Sequence, residues 1–201
     1  MRKSAFVAFV ALVATTAFAQ SKAPSMTVFG LELGAPFTVP ECSLLKLGRK
    51  DYTYAENDKT VCYELNFVHS KSDPRSMPVT DGSVKLRFPI DQPVIGTSMS
   101  AGIVKGKLEA IEIGTLGISD QDVVLGVLEK KYGTPPSLTA GSVQNIMGAQ
   151  FPTILAVWHF SEPDLTIVYR SVDQRIDRGS ISIQTRAAIM SGASNLPEPK
   201  L

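Results

Sequence analysis

The chain has 201 residues with 20 Lys and Arg against 19 Asp and Glu, a formal net charge of +1, and 44% of its residues are hydrophobic. This length suits one domain or two small ones, and the hydrophobic content is sufficient for a packed core. Because a nearly neutral chain lacks the basic surface that displaces counterions from nucleic acid, we expect no nucleic-acid partner.

Residues 1–19 have the features of a secretory signal peptide. Arg2 and Lys3 precede the apolar run AFVAFVALVATTAF, and the small-residue sequence AFA ends just before Gln20. Removal of the two basic residues takes the formal net charge from +1 to −1. The residue directly after the cleavage point is Gln20 and not a cysteine, and no later stretch reaches the roughly 20 apolar residues of a membrane helix, so we expect no membrane anchor. The sequence therefore predicts a periplasmic or secreted protein in which residues 20–25 form a linker.

A first α+β unit is predicted over residues 26–95. Thr38 and Glu41 have capping-box spacing and Pro40 suits an early helical position, which predicts a short helix through SLLKLG. Two strands follow, VCYELNFV and VKLRF, in which apolar side chains alternate with polar ones. In the first strand the alternation places Val61, Tyr63, Leu65 and Phe67 on one face.

The same unit contains both cysteines of the chain, Cys42 and Cys62. Their spacing fits no zinc pattern, and an even number in an oxidising compartment predicts one disulfide, with two buried free thiols as the alternative. The polar loop between them, GRKDYTYAENDK, contains Asp51, Tyr52 and Tyr54. Tyrosine is frequent at interface hot spots, so we predict that these residues bind a partner; the alternative is that both tyrosines pack against the core.

A second α+β unit is predicted over residues 96–186. It opens with GIVKGKLEAIEIG, which predicts a hairpin turning near Lys105 and Gly106. The following GISDQDVVLGVLEKKYGTPP predicts an amphipathic helix with Ser119 as the N-cap and Gly133 as the terminating residue.

Three strands complete the second unit. ILAVWHF and LTIVYRS flank the turn SEPD and are predicted to pair, and SISIQT forms the last strand. Trp158, on the first of these strands, is predicted to be a partner-binding residue, with a place in the core as the alternative. Residues 187–201 are predicted to be a flexible tail.

The two units follow the same order of elements. LGAPFTVPECSLLKLG and LGISDQDVVLGVLEKKYG each contain Leu-Gly, a capping residue, a short apolar-periodic helix and a closing Gly, and each precedes several strands. We therefore predict an α+β fold of two similar units, each with a short helix packed on an antiparallel sheet. One continuous sheet is the alternative arrangement.

The stretch GISDQDVVLGVLEKKYGTP, followed by WHF, LTIVYR and RGSISI, resembles a known small module. Over about 70 residues it is similar to the helix-then-sheet unit of bacterial outer-membrane assembly lipoproteins and of the β-lactamase inhibitor proteins. The inhibitor proteins carry this unit twice, so the resemblance implies a tandem architecture. The chain differs from the lipoproteins in having no lipidated cysteine.

No combination of residues in the chain predicts catalysis or metal binding. His69 and His159 have no second ligand at metal-binding spacing, and SMSAG around Ser100 lacks the first glycine of a nucleophile elbow. SLLK, from Ser43 to Lys46, matches a serine-lysine pattern, but the SDN and KTG elements that accompany it elsewhere are missing. No dinucleotide or phosphate loop occurs. We expect no catalytic residue, no metal and no cofactor.

These patterns favour an exported protein that binds another envelope or extracellular protein, as an accessory or inhibitor without catalysis. The alternative is a periplasmic carrier of a small ligand or lipid, held between a helix and a curved sheet. No oligomeric state follows from the sequence.

Overall fold

The structure, a computed structural model, describes residues 24–46, 52–55, 59–65, 79–89, 96, 98–145 and 147–192. The strands are β1 Thr27–Val28, β2 Leu31–Glu32, β3 Leu44–Lys46, β4 Tyr52–Tyr54, β5 Cys62–Glu64, β6 Gly82–Arg87, β7 Ser98–Val104, β8 Lys107–Thr115, β9 Ser137–Gln144, β10 Gln150–Ser161, β11 Asp164–Arg170 and β12 Gly179–Thr185. The helices are α1 Gln121–Tyr132, which a 3₁₀ turn over Gly117–Asp120 precedes, and α2 Arg186–Ser191.

Eight of the strands form one antiparallel sheet in the order β5-β6-β7-β8-β12-β11-β10-β9. Strands β5 to β8 form a meander, and α1 then carries the chain across to β9 at the far edge. A second meander from β9 to β12 returns the chain to the middle of the sheet, where β12 pairs with β8. The fold is α+β, and the eight strands form one continuous sheet, the alternative that the sequence left open.

One face of the sheet forms the hydrophobic core because apolar residues alternate along its strands. The buried members of this face are Val84 and Leu86 on β6, Met99, Ala101 and Ile103 on β7, Ile111 and Ile113 on β8, Ile181 and Ile183 on β12, Leu165, Ile167 and Tyr169 on β11, and Ala156 and Trp158 on β10. Helix α1 and the β1–β2 hairpin cover them with Val124, Leu128 and Tyr132 on the helix and Val28 on the hairpin. The core is therefore one layer between the sheet and these two elements.

Helix α1 confirms the predicted amphipathic helix. Gly133 follows it with a φ of 82°, a conformation that glycine adopts without steric cost. The start differs from the prediction, because Ser119 lies in the 3₁₀ turn and Asp120 is the N-cap residue. The carboxylate of Asp120 accepts a hydrogen bond from the backbone N–H of Leu116, which draws the preceding turn against the helix.

Both predicted hairpins are present. β7 and β8 are joined by Lys105 and Gly106, with φ values of 51° and 73°, as a two-residue turn between right-twisted strands requires. β10 and β11 pair from Ser161 with Asp164, on either side of the turn predicted at SEPD. SISIQT lies in β12 as expected.

The helix predicted near Thr38 is wrong. Residues 37–40 are extended, and β3 pairs with β4 over Leu44–Lys46. The backbone N–H of Cys42 donates to the Tyr63 carbonyl, and the N–H of Tyr63 donates to the Pro40 carbonyl. Pairing with β5 therefore satisfies backbone groups that a helix would have used, and this non-local pairing overrides the local capping signal.

Strands β1 to β4, strand β9 and helix α2 were not predicted. β9 occupies a segment to which the sequence assigned no strand, and it extends β10 into a long ribbon. Its residues are exposed on both faces except for the half-buried Val143, so they show no hydrophobic alternation that could have revealed the strand. Helix α2 includes Ala187 to Ser191 of the predicted tail, and its Ala188 is fully buried.

The predicted disulfide is present. Cys42 and Cys62 are bonded, with their Cα atoms 4.8 Å apart. Among the residues that the structure describes, no helix has the length and apolar character needed to cross a membrane. The predicted signal peptide at residues 1–19 and the end of the predicted tail, residues 193–201, lie outside the described residues, as do Phe67 and His69.

Candidate functional site: the open face of the sheet

The face of the sheet opposite α1 is polar. Along β7 the residues Ser98 and Ser100 alternate with the buried Met99 and Ala101, and along β12 Ser180 and Ser182 alternate with isoleucines. Because successive side chains of a strand point to opposite faces, these serines share the face turned away from the core. Its middle is built largely from short side chains.

A groove with a volume of about 770 Å³ lies on this face, over β6, β7, β8 and β12. Two cross-strand rows form its floor. The first runs from Lys85 through Ser100 to Glu112, and the second runs from Ser98 through Gly114 to Ser180. Glu112 is the one long side chain near the centre of these rows. The neighbouring short side chains leave space on both sides of its carboxylate.

The loop between β11 and β12 forms one wall of the groove. Asp173, Asp177 and Arg178 line this side. The loop is closed by hydrogen bonds, since the N–H of Asp173 donates to the carbonyl of Arg178 and the hydroxyl of Ser180 donates to the carboxylate of Asp173 at 3.1 Å. Arg175 forms an exposed ion pair with Asp177 at 2.7 Å, which further orders the loop.

Two glycines allow this wall to lie close to the sheet. A Cβ added at Gly117 would meet the carbonyl oxygen of Ile176 at 2.2 Å, and one added at Gly179 would meet the carbonyl oxygens of Arg170 and Ser171 at 2.6 Å. Gly117 also has a φ of 71°. The N–H of Ile118 donates to the Ile176 carbonyl at 3.0 Å across the same contact. The shape of the groove thus depends on two positions that exclude any side chain.

Charge is concentrated around the groove. Partial desolvation at the groove floor raises the pKa of Glu112, and the nearby Asp173 carboxylate raises it further, whereas Arg170 opposes the shift. On the other rim, Lys85 pairs with Glu64 at 3.3 Å, and Arg87 forms an ion pair with the same carboxylate. Glu112 and Asp173 together therefore favour a cationic group at the loop side of the groove.

No protein-family model matches this chain, and no curated protein or solved structure matches it.

Tyr54, which was predicted to bind a partner, lies in a small second core. Tyr54 is 8% exposed and packs with the Cys42–Cys62 disulfide and Leu44. Its hydroxyl donates to the Glu41 carboxylate at 2.9 Å and accepts from the N–H of Leu65 at 3.0 Å. Burial is the main reason that the pKa of Tyr54 rises to about 12. The side chain is therefore not available to a partner, and the core alternative is the observed one.

Of the other predicted partner-binding residues, only Trp158 has a side chain that the structure describes. Asp51 lies outside the described residues; Tyr52 is in β4, and its side chain is likewise outside them. Trp158 is fully buried, and its Nε1–H donates to the Gly133 carbonyl at 2.7 Å. The Tyr169 hydroxyl donates to the Gln121 carbonyl at 3.2 Å. These two aromatic side chains of the sheet hold opposite ends of α1, so Trp158 has a structural role in the core instead of the predicted contact role.

Of the residues that the sequence suggested for chemistry, Ser100 lies on the groove floor, whereas Ser43, Lys46 and His159 do not line the groove. His159 is exposed on β10 and its Nδ1 lies 3.0 Å from the hydroxyl of Thr166, as in a hydrogen-bonded strand histidine. Lys46 belongs to β3 and Ser43 precedes it, so the SLLK pattern lies on an extended segment and not on a helix surface. Within the described part of the chain, no group of three or more His, Cys, Asp or Glu side chains could hold a metal ion.

Sequence reasoning did not find the groove, although one signal for it is present. Serine alternates with apolar residues in SMSAGIV and in GSISIQT, which indicates that one side of each strand carries short, polar side chains. The two strands are far apart in the chain. Only the return of β12 to pair with β8 places their serines on one surface.

A second, smaller space lies on the core side. Apolar side chains of α1, β8 and β12, together with Val28 and Phe29 from the β1–β2 hairpin, surround a gap of about 180 Å³. Lys131 closes one side through a hydrogen bond of 2.8 Å from its Nζ to the Thr27 carbonyl. The hydroxyl of Tyr132, which also lines the gap, is buried and has no hydrogen-bond partner among the described residues.

Proposed function

We propose that this protein is exported and binds another protein through the open face of its sheet, as an accessory or inhibitor without catalysis. The observation that carries the proposal is the groove of about 770 Å³, floored by serines and glycine and flanked by charged residues. The predicted signal peptide and the Cys42–Cys62 disulfide support a periplasmic or secreted location, because disulfides persist in oxidising compartments.

The two faces of the sheet differ in what they can bind. The core face is occupied by α1 and the β1–β2 hairpin, whereas the open face exposes Lys85, Ser98 and Glu112 to solvent and keeps Ser180 and Ser182 buried. Small-molecule sites are mostly apolar, but this floor consists largely of hydroxyl groups and backbone. A segment that projects from a partner protein can place its side chains between Ser100, Glu112 and Ser180 and satisfy these groups with hydrogen bonds.

The charges indicate which side chain the partner inserts. Glu112 and Asp173 both line the groove, and the negative charge of Asp173 adds to the burial that raises the pKa of Glu112. A lysine or arginine of the partner between them would relieve this repulsion and gain charge-assisted hydrogen bonds. We therefore propose that the partner presents a basic side chain to the loop side of the groove.

Affinity capture from the native envelope or culture fluid tests this function. Ser100→Tyr fills the floor with a large side chain, and Glu112→Gln removes the central charge while keeping its shape. The matched control, Val123→Tyr, places the same large side chain on α1, at a position that is 68% exposed on the other side of the sheet. We expect the same protein to be captured by the wild type and by Val123→Tyr, and to be lost with Ser100→Tyr. Equal capture by all variants, with unchanged melting temperatures, would reject the groove as the binding surface.

The gap beneath α1 favours a second candidate function, the carriage of a small apolar compound. Its volume of about 180 Å³ is well below the roughly 300–1,000 Å³ of drug-sized ligand sites, so a lipid chain does not fit without movement of the helix. An engineered cavity of about 150 Å³ binds benzene, which sets the size of ligand that this gap can hold. Native mass spectrometry of protein purified from its own compartment tests this function, and a bound small mass would support it.

We also propose that α1 and the strands after it resemble the helix-then-sheet module of outer-membrane assembly lipoproteins and tandem β-lactamase inhibitor proteins. This resemblance is supported by the helix α1 followed by antiparallel strands, and it agrees with a role in protein binding. We do not propose repetition of this module within the chain, because residues 33–46, the described part of the segment that parallels α1, contain no helix.

A further inference from the structure

Strand β9 lies at one edge of the eight-stranded sheet formed by the described strands. It pairs along its whole length with β10, from Ser137 opposite Val157 to Gln144 opposite Gln150. Among the described residues, no strand pairs with its outer side. Seven of its eight residues are exposed, including Leu138 at 55%. The structure thus has an edge of eight residues whose outward backbone groups are open to a further strand.

The two edge strands of the sheet, β5 and β9, differ in whether another segment of the described chain covers them. At the β5 edge, the extended segment containing Pro40 and Cys42 exchanges backbone hydrogen bonds with Tyr63, and Glu64 is paired with Lys85. These features cover that edge. No other described segment pairs with the outer side of β9, and the sequence contains no Asp, Glu, Lys or Arg between Lys131 and Glu162. Natural proteins normally block an exposed edge with charges, proline or a bulge, so a regular, neutral edge of this length is suited to pairing.

The register identifies the outward backbone groups. The N–H of Asn145 donates to the carbonyl of Ala149, which continues the β9–β10 register beyond Gln144. In an antiparallel pair, residues that bond to the partner strand alternate with residues that do not. The backbone N–H and C=O groups of Leu138, Ala140, Ser142 and Gln144 therefore point away from β10.

We propose that β9 pairs antiparallel with β9 of a second copy of this chain, which joins two sheets about a two-fold axis at Gly141. In this register Leu138 lies opposite Gln144 of the other copy and Ala140 lies opposite Ser142. All four outward residues of each strand are used, giving about eight hydrogen bonds between the copies. If the two-fold axis were instead at Ala140, only three outward-pointing residues of each strand would pair with the other copy.

Two features favour a second copy over a different protein as the occupant. A strand without charge does not repel an identical strand, and pairing of identical edges is satisfied by two-fold symmetry. The axis also places Gly141 opposite itself in a pair without mutual hydrogen bonds, where Cα atoms approach to about 4.5 Å. Glycine, with no side chain, fits the closest point of this contact. The groove lies over β6, β7, β8 and β12, so pairing through β9 leaves it open in both copies.

Cysteine cross-linking tests the register. In the mature chain, Gly141→Cys places two thiols across the axis, where oxidised glutathione accepts their electrons and an intermolecular disulfide forms. The matched control is Leu138→Cys, on the same exposed edge, because its two copies would lie six residues apart along the strands, roughly 20 Å. We expect rapid covalent dimer formation by Gly141→Cys and little by Leu138→Cys, measured on non-reducing gels. Equal rates for the two variants would reject the register.

A proline substitution tests the pairing itself without a new thiol. Ala140→Pro removes an outward N–H and no bond to β10, so the monomer should keep its far-ultraviolet circular dichroism and melting temperature. In sedimentation equilibrium we expect the wild type to dimerise and Ala140→Pro to dissociate roughly ten- to a hundredfold more readily. Should the wild type remain monomeric up to millimolar concentration, or should Ala140→Pro dimerise equally well, the proposal is overturned. Binding of an unrelated extended peptide to β9 of a monomeric wild type would likewise overturn it.

Discussion

At the scale of single residues, burial decides what the aromatic side chains do. Trp158 and Tyr54 were predicted to contact a partner because large amphipathic side chains are common at interfaces. Both instead lie on the buried side of a strand and use their polar atom for one or two hydrogen bonds within the chain. The residue type shows that these side chains can form strong contacts. It does not show whether they point into the core or towards a partner, because that depends on the strand register.

Removal of the Tyr54 hydroxyl should destabilise the protein. Tyr54→Phe deletes the hydrogen bonds to Glu41 and from Leu65, so we expect the free energy of unfolding to fall by about 1–2 kcal/mol. Tyr132→Phe is the matched control, because the Tyr132 hydroxyl is buried without a partner among the described residues. Urea unfolding followed by circular dichroism should show little or no loss for the control. Equal losses for the two variants would contradict this assignment of roles.

Buried tyrosines also predict a loss of stability in alkali. Burial raises the pKa of Tyr54 and of Tyr132 to about 12 each in the folded protein, against an ordinary value near 10. The folded state therefore holds these protons more tightly than the unfolded state. Their contribution is complete below about pH 10 and is lost as the pH rises from there towards 12. Urea midpoints at pH 8, 10 and 11 should fall less steeply for Tyr132→Phe than for the wild type; parallel curves would argue against the shift.

At the scale of secondary-structure elements, the accuracy of the predictions follows the strength of the local signal. α1 was predictable because apolar periodicity and a terminating glycine agree, and the hairpins were predictable because their turns carry Lys-Gly and Pro-Asp. The short first helix failed because its capping pattern was outweighed by the disulfide and by backbone pairing with β5. β9 was not predicted because no residue of the strand is fully buried, so its sequence lacks the alternation of apolar and polar residues that indicates a strand.

Two glycines of similar appearance in the sequence should respond oppositely to alanine. Gly126 lies exposed within α1 and an added Cβ meets nothing within 4 Å, so Gly126→Ala should stabilise the protein by about 0.5–1 kcal/mol. Gly117 has a positive φ and no room for a Cβ against Ile176. Gly117→Ala should therefore destabilise the protein by more than Gly126→Ala stabilises it and loosen the loop from Asp173 to Arg178. Thermal unfolding and hydrogen exchange of this loop measure both effects.

At the scale of the whole molecule, one face of the sheet is covered by α1 and the β1–β2 hairpin, and the opposite face carries the groove. The α+β class and the disulfide could be predicted from the sequence, whereas the open groove could not. Glu112 and Asp173 are far apart in the chain, and only the β8–β12 pairing brings them to one surface. Local patterns cannot specify such a junction between distant strands.

The disulfide should make a measurable contribution to the stability of the whole domain. It closes a loop with a sequence separation of 20, for which the chain-entropy model gives about 3 kcal/mol. We expect the double variant Cys42→Ala, Cys62→Ala to lose about this much free energy of unfolding in urea. The wild type should lose a similar amount in dithiothreitol, and the double variant should not respond to it. An unchanged wild type in reductant would contradict a structural role for the bond.

The order of the strands has a consequence for how the chain reaches this fold. Each connection within β5 to β8 and within β9 to β12 is shorter than 20 residues, but the pairing of β8 with β12 requires the ends of a segment of more than 60 residues to meet. Because loop closure costs more entropy for a longer segment, we expect the pairing of β8 with β12 to form more slowly than either group of four strands. Until that pairing forms, each group of four strands exposes a hydrophobic surface and an unpaired strand edge, so we expect the chain to be most prone to aggregation in that interval.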